Sequence, residues 1–147
     1  MDRLIVIATP EELKLIKSRN NILVTGVGGL NVIRALQNVP RSTPIYNIGY
    51  AGSNSFKVGE KVSIGRVKLY HQNVQYKEPE YNLFGQTTCY TSNDFVLNTD
   101  LQEPCVFDME LAFILAMGFR DVVAHKVVSD KLSLKEYKES LSNRFGG

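Results

Sequence analysis

The sequence predicts an α/β domain built from βαβ units around a largely parallel sheet. Three observations carry that prediction. Short β-branched runs recur at Leu4 to Ala8, Ile22 to Thr25 and Pro44 to Ile48, and such continuous runs read as strands covered on both faces. Helical patterns separate them, which is the alternation of a parallel α/β sheet. The chain of 147 residues is 44% apolar and 22% charged, the balance of one ordinary core, so residues 1–147 are expected to form a single domain.

Composition narrows the function classes. Seventeen basic residues against 15 acidic ones leave a formal charge of +2, too small an excess to argue for nucleic acid or an anionic membrane. The apolar run Leu4 to Ala8 is too short for a signal peptide or a transmembrane helix, so a cytoplasmic protein is expected. Cys89 and Cys105 form no CxxC or metal pattern and read as reduced thiols. His71 and His125 have no metal-ligating cluster near them. Neither a metal nor a cofactor is expected.

In chain order, Thr9 follows the first strand as an N-cap and Pro10 takes the first helical position. Glu11 and Glu12 fall where a helix dipole favours acids, with Glu12 at the capping-box position. Leu13, Leu15 and Ile16 continue a short helix that gives way to a polar turn at Lys17 to Asn21. The second strand runs into Gly26-Val27-Gly28-Gly29, and Leu30 to Leu36 then reads as a helix. Strand, glycine-rich turn and helix form a layout that cradles anions on backbone N–H groups. There is no P-loop lysine and no GxGxxG spacing, so a tight turn with close strand–helix packing stays open beside an anion site. Gly49-Tyr50-Ala51-Gly52 is expected to close the third strand as a turn. Ligands in such folds bind beyond the carboxyl ends of strands, where Thr9 to Glu12, Gly26 to Gly29 and Gly49 to Gly52 all fall.

The middle of the chain changes character. Lys61 to Tyr70 alternates apolar and polar residues, as a half-exposed strand does. His71 to Leu83 reads as a loop or irregular hairpin, and Gln86 to Tyr90 as a strand. Thr91 to Asp94 breaks that strand ahead of Phe95-Val96, and Asn98 to Pro104 is a loop. From Cys105 an apolar run leads into Asp108, Met109 and Glu110; a helix follows and stops at Gly118. The run Val122 to Val128 ends on Ser129 and Asp130. Leu134 to Leu141 reads as an amphipathic helix capped by Ser133 and Glu136, and Asn143 to Gly147 as a frayed tail.

Three acids thus sit where apolar runs give out: Glu12, Glu110 and Asp130. A buried carboxylate is costly unless it is paired or hydrogen-bonded. Each acid has a plain structural reading, Glu12 and Glu110 as helix caps and Asp130 as the cap of a turn. Their convergence at one sheet edge supports a functional reading. Acids suit chemistry at a sugar C1, where bond cleavage passes through an oxocarbenium-like state.

Ordered matches along the chain resemble the nucleoside phosphorylase/nucleosidase superfamily, and most closely the bacterial 5′-methylthioadenosine/S-adenosylhomocysteine nucleosidases. IVIATPEEL (Ile5 to Leu13) is similar to that family's first strand with its catalytic glutamate, which falls on Glu12. TGVGG (Thr25 to Gly29) resembles a TGIG turn, YNIGYAGS (Tyr46 to Ser53) an NTGSAGG turn, and VGE (Val58 to Glu60) a VGD. His71 follows a strand as in YHD, and DFV (Asp94 to Val96) resembles the base-stacking segment. DMEL (Asp108 to Leu111) resembles the ribose-binding EMEA, and VVSD (Val127 to Asp130) the strand ending in the catalytic aspartate.

The resemblance implies a three-layer α/β/α domain with a central mixed, largely parallel sheet. It implies hydrolysis of the N-glycosidic bond of a purine nucleoside, with Glu12 activating water and Asp130 protonating the purine N7. Met109 and Glu110 would bind ribose, Phe95 would stack on the purine, and the Val96 backbone would bind its edge. Ala51 and Gly52 would also border the substrate, and Ser129 would orient Asp130. A homodimer is implied, since the family's 5′ pocket borrows a partner histidine similar to His71. The departures are a shorter chain, Tyr50 for a small residue, Lys126 for an arginine and Asp108 for a glutamate.

Phosphorolysis would need cationic donors beside the glycine-rich turns. Arg34 lies inside a helix and Arg41 precedes a strand at its wrong end. Hydrolysis is therefore the expectation, with a purine nucleoside phosphorylase or a non-catalytic nucleoside- or nucleotide-binding module as the alternatives. Whether the substrate carries an anionic group is a separate question: Lys126 leaves room for one, against the plainer reading of a snorkelling surface lysine.

Overall fold

The computed structural model describes residues 3–18, 20–70 and 79–142. The expectations for His71, for most of the 71–83 segment and for the 143–147 tail lie outside the described residues.

The elements begin with β1 (Leu4–Ile7), a 3₁₀ turn (Pro10–Leu15), β2 (Ile22–Val24), α1 (Gly29–Leu36) and β3 (Ile45–Ser53). Then come β4 (Lys61–Leu69), β5 (Glu80–Asn82), β6 (Thr87–Thr91) and β7 (Cys105–Asp108). The chain continues through α2 (Leu111–Ala116), β8 (Val122–Asp130) and α3 (Leu134–Ser142). The result is a mixed α/β domain with many strands and few helices.

Strand pairing follows the expected βαβ logic at the N-terminal end. β1 lies parallel to both β2 and β3, and β3 is parallel to β8. β6 is parallel to β4 and to β7. Antiparallel pairs join β3 to β7, β4 to β5 and β4 to β8. β8 thus pairs with both β3 and β4, so the path through β3, β7, β6 and β4 returns to its start. The apolar core, including Val6, Ile64, Val106, Ile114 and Val128, packs inside these strands and under α1 and α2. The two helices approach closely at Gly29, where a Cβ would lie 2.9 Å from the Phe113 ring. No described helix is long and apolar enough to cross a membrane.

One local expectation is sharpened and one is corrected. The short helix after Thr9 is a 3₁₀ turn, with the expected Thr9–Glu12 capping box, held by Glu12 N–H to Thr9 O at 3.1 Å and Ile16 N–H to Leu13 O at 3.2 Å. Six residues between a proline and a polar turn offer too few i→i+4 bonds to lengthen it. The correction is β3. It does not end at Ile48; Gly49-Tyr50-Ala51-Gly52 continues the strand, buried from Asn47 onward. These glycines serve space rather than turning. A Cβ on Gly49 would sit 2.6 Å from Glu12 Oε2, and one on Gly52 would sit 2.9 Å from Asp130 Oδ2. A register shift at Ala51/Gly52 moves β3 from opposite Val128 to opposite Asp130. Such a bulge re-aims the side chains beside it.

Candidate active site

The site is assembled from the ends of β1, β3, β7 and β8. Glu12 folds back over the end of β1 from the 3₁₀ turn. Its Oε1 accepts the N–H groups of Ala8 at 2.8 Å and Thr9 at 3.2 Å, and its Oε2 accepts Tyr50 N–H at 2.8 Å. Three backbone donors hold the carboxylate, so the helix-cap reading of this residue is real. Burial is the largest influence and raises its proton affinity, against the Lys126 charge and those three donors. Gly49→Ala is expected to push this carboxylate off its donors, since a Cβ at 2.6 Å is below any real contact. The variant should melt lower by about 1–3 kcal/mol of stability and lose any Glu12-dependent activity; an unshifted melting temperature would contradict the packing described.

Glu110 follows β7 and heads α2. Its Oε2 accepts Gly28 N–H at 3.0 Å. Gly28 has φ +92°, the left-handed region that favours glycine, and it is the residue before α1. The glycine-rich turn thus offers one backbone N–H, from Gly28, to the carboxyl of the protein's own Glu110. Burial first, then the adjacent Asp108 charge, push the Glu110 carboxyl up to about 7, while Lys126 and Gly28 N–H oppose.

This gives a pH prediction with a definite sign. Folded Glu110 binds its proton more tightly than an unfolded glutamate. Its stabilising contribution is complete below the ordinary carboxylate range and is lost as pH rises through about 7. Between about pH 5 and pH 8 the wild type should lose melting temperature relative to Glu110→Gln. Two parallel curves over that interval would refute the assignment.

Asp130 ends β8 and is fully buried. Ser129 Oγ donates to its Oδ1 at 2.5 Å, and its Oδ2 accepts Ser133 N–H at 3.1 Å. It therefore caps the turn leading to α3, beside Leu132 at φ +64°. Burial dominates and raises its proton affinity; the Ser129 hydroxyl and the backbone donors pull the other way.

Glu12, Glu110 and Asp130 line one cavity of about 40 Å³, together with Ala51, Gly52, Phe95 and Met109. Seven of the residues singled out in the sequence thus meet. Ser129 lies behind Asp130 as its hydrogen-bond donor. Val96 does not border the cavity; its side chain packs with Tyr90, Cys105 and Phe107. The sequence reading missed Tyr137 and did not place Asp108 or Val27 at the cavity wall. The Tyr137 ring meets Phe95 at 5.3 Å between centroids, tilted by 52°. Burial, followed by Glu12 and Glu110, lifts its phenol to about 12. A lone aromatic in the polar segment Leu134 to Leu141 was the available signal.

Lys126 is the clearest error of the sequence reading. It is 1% exposed, not a surface residue, and its Nζ lies 3.0 Å from Asp108 Oδ2. Asp108 also accepts Leu111 N–H at 2.8 Å and the Thr91 hydroxyl at 2.5 Å. Burial alone would raise the Asp108 carboxyl; Lys126 and these donors outweigh it and hold it below the usual range.

No protein-family model and no curated protein matches the sequence. Solved structures do match the fold. The MTAN of Chlamydia trachomatis superposes with a TM-score of 0.75 at 17% identity, over 93% of this chain and 87% of that one. The 5′-methylthioadenosine/S-adenosylhomocysteine nucleosidase of Neisseria meningitidis, crystallised with methylthio-immucillin-A, gives 0.72 at 16% over 93% and 90%. The S-adenosylhomocysteine nucleosidase of Streptococcus pyogenes, in complex with 5-methylthiotubericidin, gives 0.72 at 16% over 96% and 91%. At these identities the likeness establishes the fold, and the chain has the fold of these nucleosidases. The resemblance read from its motifs therefore holds at the level of architecture.

Proposed function

We propose that the chain hydrolyses the N-glycosidic bond of a purine nucleoside of the 5′-methylthioadenosine/S-adenosylhomocysteine type. The observation that carries this is the meeting of Glu12, Glu110 and Asp130 around one cavity in that fold, each with raised proton affinity. Asp130, aligned by Ser129, holds a proton and donates it to the purine N7 as the bond from the sugar C1 breaks. Glu110, with Met109, binds the ribose hydroxyls. Glu12 takes a proton from the water that attacks C1, and its carboxylate charge favours the oxocarbenium-like state. Phe95 borders the cavity and offers a ring for stacking on the base.

Hydrolysis is favoured over phosphorolysis by charge. Glu12 and Asp108 border the cavity as carboxylates beside the acids Glu110 and Asp130, and no arginine or lysine does so among the described residues. Lys126, the buried cation nearest in sequence to Asp130, is engaged by Asp108. The same reading carries the three-layer arrangement, a homodimer and a cytoplasmic setting. Purine release from a panel of nucleosides, followed by absorbance, tests it. We expect release from 5′-thio-substituted adenosines; binding without release from any member would favour a non-catalytic module instead.

A further inference from the structure

We infer that Asp108 and Lys126 form one positioning unit for the proposed reaction, tying the strand that delivers Glu110 to the strand that delivers Asp130 through a single dry ion pair. The inference rests on the functional reading above but stands on its own geometry. Lys126 lies on β8 four residues before Asp130, and Asp108 ends β7 two residues before Glu110. β7 and β8 are not hydrogen-bonded neighbours; β3 pairs with both. The 3.0 Å contact between Lys126 Nζ and Asp108 Oδ2 crosses that gap, with side chains 1% and 0% exposed.

Asp108 is gripped on every side. Its Oδ2 also takes Leu111 N–H, which fixes the first turn of α2 just after Glu110. Its Oδ1 takes the Thr91 hydroxyl, whose oxygen accepts Ala112 N–H at 3.0 Å and so joins β6 to the same turn. Lys126 does not border the cavity. It acts through Asp108 and through its charge, not on a substrate. Two departures noted in the sequence, lysine for arginine and aspartate for glutamate, are thus partners in one contact, and each is the shorter residue of its kind.

The charged and titratable groups facing Glu110 come from five elements besides its own turn. They are Asp108 on β7, Lys126 on β8, Glu12 on the 3₁₀ turn, Tyr137 on α3 and Cys89 on β6, with Gly28 N–H before α1. Asp108 raises the Glu110 proton affinity more than Lys126 lowers it. Removing both charges should therefore lower it.

The test compares wild type, the charge-neutral double variant Asp108→Asn/Lys126→Met and the conservative Lys126→Arg. Melting temperature establishes folding; kcat and KM for purine release are measured across pH. The Glu110 carboxyl is titrated by ¹³C NMR, which needs no activity. We expect the double variant to fold, with kcat down on the order of 10- to 100-fold, because misplacing reacting groups by about 1 Å can cost up to about 100-fold. KM should change less, the Glu110 midpoint should move to lower pH, and Lys126→Arg should retain most of kcat. A folded double variant with unchanged kcat and an unmoved Glu110 midpoint overturns the inference. If wild type releases no purine, the functional reading fails, and the Glu110 midpoint alone decides: moved, it upholds the unit; unmoved, it overturns it. If the double variant does not fold, the same NMR titration on Asp108→Asn alone decides, since Asp108 raises the Glu110 proton affinity; an unmoved midpoint there likewise overturns it.

Discussion

Asp130→Asn is expected to lower kcat for purine release by about 10²–10⁴-fold, the range over which a positioned proton donor contributes, with KM little changed. The substitution keeps the shape of the side chain and an oxygen able to accept Ser133 N–H, so the turn into α3 should survive. What it removes is the proton. Burial already favours the protonated carboxyl against the Ser129 hydroxyl and the backbone donors, and an amide has no such proton to give. A loss in kcat alone means an interaction made only in the transition state has gone. Equal activity in the variant would remove Asp130 from its assigned role, leaving it the turn cap that its hydrogen bonds already show it to be.

The second large effect concerns stability. Lys126→Met leaves Asp108 buried with no cation, and breaking a buried pair from one side costs about 3–5 kcal/mol. For a chain of this size that corresponds to a fall in melting temperature on the order of 10 °C. Asp108 retains the Leu111 and Thr91 donors, which moderates the loss without replacing a full charge. The double change Asp108→Asn/Lys126→Met should recover much of it, since replacing both members of a buried pair is far milder than removing one. If Lys126→Met melted with the wild type, the pair would contribute nothing to the fold. Thermal melts of the three proteins at one pH decide the matter.

Much of the site was legible because local rules converge on it. Continuous β-branched runs marked β1, β2 and β8, and the acids that follow the apolar runs of β1, β7 and β8 marked the edge where the cavity lies. Glu12 and Asp130 also do the capping that their positions suggest, so the structural and functional readings coexist in the same carboxylates. The misreadings have specific causes. Gly49 and Gly52 look like turn residues, because a sequence does not show that a glycine's missing Cβ is needed by a carboxylate distant along the chain. Lys126 looks exposed because a lysine is almost never buried unpaired, and its partner lies on a strand that is not its neighbour. Tyr137 became part of the cavity only through the packing of α3 across the end of β8.

The claim that water, not phosphate, attacks the sugar is tested most directly by identifying the sugar product formed in phosphate buffer. The three acids around the cavity and the engaged Lys126 predict free sugar, released in step with the purine and at a rate that phosphate does not raise. Accumulation of the sugar 1-phosphate, with no free sugar, would contradict the account.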